Sequence, residues 1–392
     1  MNTQNTPVHI TLWHKGFWLL SLANLFVTMG VYTLIPVMPQ WLMRYEHFSP
    51  FYTGLSMAAF AFGLFAFGSF CSYLVQRFRR NAVCIRAILL MAVLIAAIYY
   101  LHDNNITMVD VWAIIAQRFL LGATFGLAKM VLSSTLIVDT SESFQRTEAN
   151  HSSSWFARFA LSLGPLVGIV VNQLWGFGAV LVMCVALCII AVVLIRMVDF
   201  PFRAPEENVS VFSLDRFFLK QGTLLFVNLF IVTVAIGLIM SVELSFTFYG
   251  MIMLGFFLAL LSQRFVFINA ELKSEVVTGL ILIFTALLLM ITRHAVIVNY
   301  AAPTMIGLGT GIVGARFLLF FIKLSRHCQR GTSQSTYILG WESGIALGVG
   351  LGYSFFNANP HLALVFSISL VTIAMVLYIL LTHTWFVKHK NR

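Results

Sequence analysis

Charged residues are scarce in this sequence of 392 residues. Asp, Glu, Lys and Arg together make up 10% of it and apolar residues make up 60%, whereas about a quarter of a soluble protein is charged. The composition therefore excludes a soluble globular protein. It predicts an all-α integral membrane protein, because helices satisfy their backbone polar groups internally within lipid.

Cysteine is also rare, and its spacing excludes the metal and redox chemistry that cysteine pairs support. The 5 cysteines form no CxxC pair, so neither a disulfide framework nor a zinc site is indicated. The 10 histidines form no H-x-x-x-H cluster, and no Walker-type glycine loop is present to bind ATP. We therefore expect no metal and no cofactor.

Apolar runs of about 20 residues predict twelve membrane-spanning helices. The predicted helices are residues 17–42, 53–75, 82–101, 110–136, 152–175, 177–197, 222–243, 246–267, 275–292, 298–322, 335–357 and 361–383. No cleavable signal peptide is expected, because the first apolar run is long enough to span the bilayer.

Basic residues lie almost entirely on one side of this predicted topology. The net charge is +10, yet with the N-terminus inside, the outer loops hold only Arg44 and Arg293. By the positive-inside rule, this asymmetry predicts a multi-pass protein of the cytoplasmic (inner) membrane with both termini in the cytoplasm. The excess of basic residues is thus explained by the membrane topology, and we expect no nucleic-acid partner.

The sequence contains an internal repeat. "GLFAFGSFCSYLVQRF" (63–78) and "GMIMLGFFLALLSQRF" (250–265) align with a shift of 187 residues. Two further matches have shifts of 185 and 184: Gly122 and Gly126 fall on Gly307 and Gly311, while Gln145, Arg146, Gly164 and Gly168 fall on Gln329, Arg330, Gly348 and Gly352. Three collinear matches indicate that the chain consists of two similar halves.

The repeat predicts two pseudo-symmetric six-helix bundles, residues 1–197 and 222–392. Residues 198–221 are the only long polar stretch and are predicted to be a cytoplasmic linker. Parallel repeats of this kind are typical of carriers whose substrate site lies between the halves near the membrane midplane.

Three motifs give the chain a resemblance to the major facilitator superfamily over nearly its whole length. "AQRFLLGATFGLA" (116–128) is similar to the family's R-x-x-x-G-x-x-x-G element, and "SLGPLVG" (162–168) resembles a Gly-Pro element of the efflux branch of drug or sugar:proton antiporters. "GSFCSYLVQRFRRN" (68–81) occupies the place of the loop 2–3 signature, G-x-x-x-D-R-x-G-R-R. The matched positions in the first two motifs are Arg118, Gly122 and Gly126, and Gly164, Pro165 and Gly168.

The loop 2–3 match is degenerate. Gln76 stands where the family has Asp, and Arg79 stands where it has the second Gly of the signature. Ser72 stands where the signature has its first Gly. In helix 5, Trp155 holds the place of a further Gly of the efflux element. The resemblance implies that these regions take part in gating and that the family's Asp latches the cytoplasmic gate. The candidate gating residues are Arg77, Arg79, Arg80, Gly164, Pro165 and Gly168.

Two cations share one face of the fourth predicted helix. Arg118 and Lys129 are eleven residues apart, and eleven steps of about 100° bring a helix back to within about 20° of its starting face. Charges inside a membrane helix are costly and usually functional, although long stems also reach the headgroups by snorkelling. We interpret Arg118 as facing a water-filled cavity; for Lys129 both interpretations stay open.

Three more charges lie at similar depth in the other predicted helices. Arg158 in helix 5 and Glu342 in helix 11 are related by the repeat shift of 184, and Arg316 lies in helix 10. Glu342 has two alternatives: an ion pair with Arg316, or the binding of a coupled proton. In the loop after helix 4, Asp139 and Glu142 are expected to pair with Arg146.

Four buried cations against one clear anion predict an electropositive passage, which attracts anionic or phosphate-bearing solutes. Asn24, Thr28 and Tyr32 form a polar stripe on helix 1, and Asn228 lies in helix 7; these side chains either contact substrate or satisfy helix packing. The candidate substrate-binding or coupling residues are Arg118, Lys129, Arg158, Arg316, Glu342, Asn24, Tyr32 and Asn228.

The sequence therefore predicts a secondary active transporter that moves a small anionic or amphiphilic organic molecule by alternating access. The efflux resemblance favours proton-coupled efflux, and proton-coupled uptake is the alternative. An integral membrane enzyme or a transporter-like sensor is the alternative from a different class, but an enzyme would need a nucleophile–base pair or clustered acids. The expected partners are the substrate, protons and membrane lipid, and the expected state is a monomer.

Overall fold

The computed structural model describes residues 11–103, 110–200, 209–268, 270–293 and 295–391. Within those ranges all regular structure is helical and no β-strand occurs. We label the helices α1 (Lys15–Arg44), α2 (Pro50–Arg77), α3 (Arg80–His102), α4 (Val111–Asp139), α5 (146–175), α6 (177–196), α7 (Thr223–Val242), α8 (Phe246–Phe265), α9 (Leu272–Thr292), α10 (Val298–Leu324), α11 (Arg330–Leu351) and α12 (Pro360–His389).

The number of membrane crossings follows from helix length. Ten helices of the described chain are long and apolar enough to span a membrane, and one of them, Arg146–Arg196, has 51 residues. At 1.5 Å per residue it would be about 76 Å long, more than twice the hydrocarbon core of about 30 Å. Gly176 breaks it at φ 82°, a value that glycine adopts readily. Counting its two parts and the more polar α11 confirms the predicted twelve-helix, all-α membrane fold.

Local sequence sets the ends of several helices. The Ser49 hydroxyl accepts a hydrogen bond from the Tyr52 backbone N–H, and Pro50 occupies the first turn of α2. Asn359 and Pro360 begin α12 in the same way. A proline costs no hydrogen bond at this position, because the first N–H groups of a helix have no partner within it.

Two helices begin at least five residues earlier than predicted. α5 starts at Arg146 instead of residue 152, and α11 starts at Arg330 instead of residue 335. The first turns of α11 carry a polar run that resembles a loop in sequence. In the fold Thr332, Ser333 and Gln334 are buried, so this run packs against the rest of the protein.

The two halves of the sequence pack in equivalent ways. One hydrophobic core is formed mainly by residues 12–198 and the other mainly by residues 219–386. Gly122 of α4 lies against the backbone of Phe60 in α2, and its repeat partner Gly307 of α10 lies against the backbone of Ile252 in α8. The repeated glycines therefore allow the same close helix contact in each half.

The halves touch each other on both sides of the membrane. With twelve crossings the start of α1 and the end of α12 share one side, which we call the inner side and which is the predicted cytoplasmic side. On the outer side Gly54 of α2 packs against the backbone of Gly350, and Ser354 donates to the Phe51 carbonyl at 3.3 Å. On the inner side Gly331 of α11 lies against the Ser134 carbonyl. The two halves are therefore in contact on both the outer and the inner side.

Candidate substrate and coupling site

A narrow cavity lies between the two halves near the middle of the membrane. Glu342 on its wall is twelve residues into α11, which places it about 18 Å from the inner end of the helix. The cavity is lined by Asn24, Lys129, Ser133, Ser154, Ala157, Arg158, Gln334, Tyr337, Ile338, Trp341 and Glu342.

One face of α11 supplies the whole wall from the second half. The lining positions 334, 337, 338, 341 and 342 follow the spacing i, i+3, i+4, i+7 and i+8, which is one side of an α-helix. α1, α4 and α5 supply the opposite wall. Movement of α11 relative to the first half would therefore open or close the cavity.

Lys129 lies in this cavity and is held by neutral groups of α1. Its Nζ donates to Asn24 Oδ1 at 2.6 Å and to Thr28 Oγ1 at 2.9 Å. Asn24 in turn donates from Nδ2 to the Ser153 carbonyl at 3.1 Å, which directs its amide oxygen towards the lysine. The polar stripe predicted on α1 is thus a hydrogen-bonded support for a buried cation.

Glu342 is joined to the opposite half by one hydrogen bond. The Tyr32 hydroxyl of α1 donates to Glu342 Oε2 at 2.7 Å. Within the described ranges no cation lies within 4 Å of the Glu342 carboxylate, although Lys129 and Arg158 line the same cavity. Glu342 therefore remains a buried acid without a salt bridge.

Arg158 is enclosed by aromatic rings from both halves. Its guanidinium lies 4.7 Å from the Trp155 ring and 6.0 Å from the rings of Tyr337 and Trp341. Nη2 donates to the Tyr337 hydroxyl at 3.1 Å, while Nε and Nη1 have no hydrogen-bond partner among the described residues. Two donors of this buried cation are therefore available to an acceptor.

The cavity is too small for an organic solute in this state. The cavity volume is about 20 Å³, which is enough for one or two water molecules. A solute would require the walls to separate. The structure is therefore occluded, with its polar groups gathered in the centre.

Three of the predicted site residues, Arg118, Asn228 and Arg316, lie away from this cavity. Arg118 is buried in the first half with its guanidinium 5.3 Å from the Phe60 ring, and its Nε and Nη1 have no partner within the described ranges. Asn228 donates to the Ala374 carbonyl at 3.0 Å and to Thr382, which corresponds to the packing alternative.

Arg316 has a partner that the sequence did not suggest. Of the alternatives for Glu342, the ion pair with Arg316 is wrong, because Arg316 of α10 pairs with Glu275 of α9. Glu275 is 1% exposed and sits in the first turn of α9, where the helix dipole also favours an anion. The sequence placed Glu275 at a helix end and so left it out of the buried charges.

The candidate gating residues fall into two groups. Gly164 and Gly168 of α5 pack against α1 at Tyr32 and Thr33, leaving no room for a side chain.

Arg80, a gating candidate of the second group, forms an ion pair. The expected Asp139–Arg146 pair is wrong: Asp139 at the end of α4 pairs with Arg80 at the start of α3. Neighbouring helix ends meet in space, and sequence separation hides this contact.

The remaining gating candidates belong to the same two regions. Pro165 lies inside α5 between the two packed glycines, and Arg77 and Arg79 are exposed at the inner end of α2.

A larger groove runs between α5 and α8 near the inner side. Its volume is about 430 Å³, and it is lined by Trp13, His151, Ser152, Trp155, Phe156, Phe159, Leu260, Gln263 and Arg264. Small-molecule sites commonly measure about 300–1,000 Å³. Trp155 lines this groove and also contacts Arg158 of the central cavity through its ring.

Comparison with known proteins places the chain in a family. A sequence model of the Major Facilitator Superfamily matches residues 20–349, which include most of both halves. A comparison with curated protein sequences gives no match.

Three solved transporters are similar to this chain in fold at low sequence identity. The POT family transporter PepTSo is 11% identical, with 96% of this chain and 99% of that one covered and a TM-score of 0.73. The nucleoside transporter NupG is 11% identical, with coverage of 93% and 99% and a TM-score of 0.67. The human organic anion transporter MFSD10 (TETRAN) is 13% identical, with coverage of 93% and 98% and a TM-score of 0.68. At such identities the likeness shows the fold alone.

Proposed function

Because the chain belongs to the major facilitator superfamily, and is therefore a membrane transporter and not an enzyme, we propose that it moves small organic anions in a proton-coupled cycle. In this proposal the bundles 1–197 and 222–392, joined by the linker 198–221, open the central cavity to each side in turn. The transporter works as a monomer in the cytoplasmic membrane, with both termini in the cytoplasm.

The substrate class is supported by one observation: Lys129 and Arg158 face the same cavity, and neither forms an ion pair within the described part of the chain. Lys129 is held by an amide and a hydroxyl, and Arg158 keeps two donors without partners. A carboxylate or phosphate fits a guanidinium fork and a nearby ammonium. We therefore propose a carboxylate or phosphate ester as the anionic group.

The apolar part of the substrate is proposed to contact aromatic rings. Trp155, Tyr337 and Trp341 surround Arg158, and Trp155 also lines the groove between α5 and α8. An amphiphilic anion could bind its apolar part in this groove and reach Arg158 when the indole moves. This arrangement supports an amphiphilic or aromatic anion over a small inorganic one.

Glu342 is the proposed proton site. It is the one acid among the residues that line the cavity, and buried acids in membrane proteins often carry protons. The carboxylate and an anionic substrate would compete for the positive charge of Lys129 and Arg158. Protonation of Glu342 therefore releases the cations for the substrate.

This competition bears on the direction of transport. Because binding of the anion and of the proton favour each other, and linkage is reciprocal, they tend to cross together. The geometry thus favours proton-linked symport, which in an inward proton gradient gives uptake. Proton-coupled efflux is the second candidate, supported by the resemblance of Gly164, Pro165 and Gly168 to the efflux element.

Counterflow in proteoliposomes tests the carrier and its coupling together. We expect exchange of labelled benzoate or a sugar phosphate, and pH-driven accumulation of the same solute. Glu342→Gln should keep exchange and lose the driven accumulation. Driven accumulation that is unchanged in this variant would remove Glu342 as the proton site.

The matched control is Glu243→Gln. Glu243 lies between α7 and α8, outside the cavity, and burial raises the pKa of its carboxyl, so it is also an acid that can titrate. We expect it to leave both assays unchanged. Exchange of the cation tetraphenylphosphonium without any exchange of the anions would overturn the substrate class.

The sign of proton movement separates the two directions. When an exchanging anion is added outside weakly buffered proteoliposomes, symport carries protons in and makes the outside more alkaline. Antiport makes the outside more acidic. External acidification would replace symport by the efflux candidate while leaving the anion proposal intact.

A further inference from the structure

The described part of the linker is bound to the inner end of the first half. We call residues 209–219 the clasp segment. The Ser213 backbone N–H donates to the Ser69 carbonyl at 3.0 Å, and the Ser72 hydroxyl donates to Asp215 Oδ2 at 3.3 Å. Both serines of α2 lie within the stretch 68–81 that resembles the loop 2–3 signature, so the clasp segment occupies the region expected to form the gate.

The same segment is bound to the inner end of α11. The Thr332 hydroxyl donates to Asp215 Oδ1 at 2.9 Å and accepts from the Arg216 backbone N–H at 2.9 Å. The Leu219 backbone N–H donates to the Thr336 hydroxyl at 2.8 Å. Thr332 and Thr336 are buried, which explains why the first turns of α11 are polar.

Arg216 connects the segment to a third helix end. Its Nη1 donates to Thr135 Oγ1 of α4 at 3.0 Å. Its backbone has φ 57°, in the left-handed region that side chains disfavour. The contacts on both sides therefore hold the chain in a conformation that it would not favour alone. Phe217 adds a ring packed on Gly68 of α2.

We propose that the clasp segment holds the inner side of the transporter closed, and that Asp215 bridges α2 to α11 as its central residue. The proposal rests on alternating access as the proposed function. α11 forms the whole second wall of the cavity, so inner opening must separate it from α2 and α4. The clasp segment binds all three helices at the ends that have to separate.

The charge of Asp215 suits this position. Its carboxylate accepts a hydrogen bond from the Thr332 hydroxyl in the first turn of α11. Unpaired backbone N–H groups at the start of a helix favour an anion. Loop 2–3 itself offers Gln76 and no acid at the corresponding place. The linker thus supplies in this chain the acidic group that the loop lacks.

Spin-label distances test the clasp without any substrate. In a cysteine-free background, one pair of labels at Phe78 and Arg326 reports the inner side, and a pair at Tyr45 and Phe355 reports the outer side; all four positions are exposed. Asp215→Ala removes two side-chain hydrogen bonds. The loss of one such bond changes the ratio of two conformations about 2- to 13-fold. We expect the ratio of inner-open to inner-closed molecules to rise about tenfold.

Ser210→Ala is the matched control, because among the described residues the Ser210 hydroxyl bonds only to the Phe212 carbonyl, within the clasp segment. It should leave the distances unchanged. Thr332→Val should reproduce the Asp215→Ala shift, and the double variant should add little, since the two groups share one bond. Asp215 is exposed, so Asp215→Ala is expected to fold normally.

The outcomes separate this proposal from the proposed function. An inner distance distribution that is unchanged in Asp215→Ala overturns the clasp, even if the protein transports organic anions. A tenfold shift supports the clasp even if benzoate and sugar phosphates are not transported, because the labels report helix separation alone.

Discussion

The two halves of this transporter treat their buried cations differently. In the second half, Arg316 is neutralised by Glu275, which also lies at the N-terminus of a helix. In the first half, Lys129 contacts an amide and a hydroxyl, and Arg118 lies over a phenyl ring. A charge neutralised within its own half stabilises that half. A charge with no acid beside it remains available to a ligand or to an acid of the other half.

Breaking the neutralised pair should have the largest effect. Glu275→Leu leaves Arg316 buried opposite an apolar side chain, and breaking a buried pair costs about 3–5 kcal/mol. We expect a loss near the lower end of this range in the free energy of unfolding, because Arg316 keeps 17% exposure. Denaturant titration in detergent measures it.

The double variant Glu275→Leu, Arg316→Leu is the control for this change. Replacing both charges by apolar side chains is commonly neutral or stabilising, so most of the lost stability should return. If the double variant is as unstable as the single one, the pair is not what holds α9 and α10 together.

Removing the cation that lines the central cavity should weaken anion binding more than it lowers stability. Lys129→Met is expected to weaken binding of a transported anion by about 10- to 100-fold, which is about 1.4–2.8 kcal/mol. The unfolding temperature should stay the same or rise, because a desolvated charge is lost. Saturation of benzoate or sugar phosphate counterflow measures the affinity. An unchanged affinity would contradict the assignment of Lys129 to the substrate.

A smaller effect is expected where the halves meet at Glu342. Tyr32→Phe removes the hydrogen bond between α1 and α11, worth about 1.5 kcal/mol for a charged acceptor, or about tenfold in a population. A cysteine at Gln334 in a cysteine-free background should then react about tenfold faster with a membrane-impermeant thiol reagent. Tyr353→Phe is the matched control, because within the described residues that hydroxyl has no partner.

The smallest effect on anion affinity is expected at Arg118, the other buried cation of α4. Arg118 and Lys129 share a helix face, but only Lys129 lines the cavity. Arg118→Met is therefore expected to change anion affinity by less than about twofold, a difference of about 0.4 kcal/mol. The same counterflow assay decides this. A loss as large as that of Lys129→Met would place Arg118 in the path of the substrate.

The fold was largely accessible from the sequence because membrane crossings need long apolar runs and little else. The start of α11 was misplaced for the opposite reason: its buried run of Thr332, Ser333 and Gln334 looks like a loop. Polar residues between the halves are satisfied by groups distant in sequence, such as Asp215. No local pattern shows that.

The site was accessible in part. The structure brings together five of the eight candidates, namely Lys129, Arg158, Glu342, Asn24 and Tyr32. It places Arg118, Arg316 and Asn228 elsewhere. Tyr337 and Gln334 went unnoticed, although the spacing from Gln334 to Glu342 along one face of α11 was a signal that could have found them.

The sequence by itself determined that this chain crosses the membrane twelve times as two related halves, because hydropathy and repeat spacing are properties of neighbouring residues. It also indicated five of the charges that lie inside the helix bundles, but it missed Glu275. Only the tertiary structure decided how those charges are partnered: Arg316 with Glu275, and Lys129 with Asn24 and Thr28. Charge interactions depend on separations of a few ångströms, and helices distant in sequence set these only when they pack.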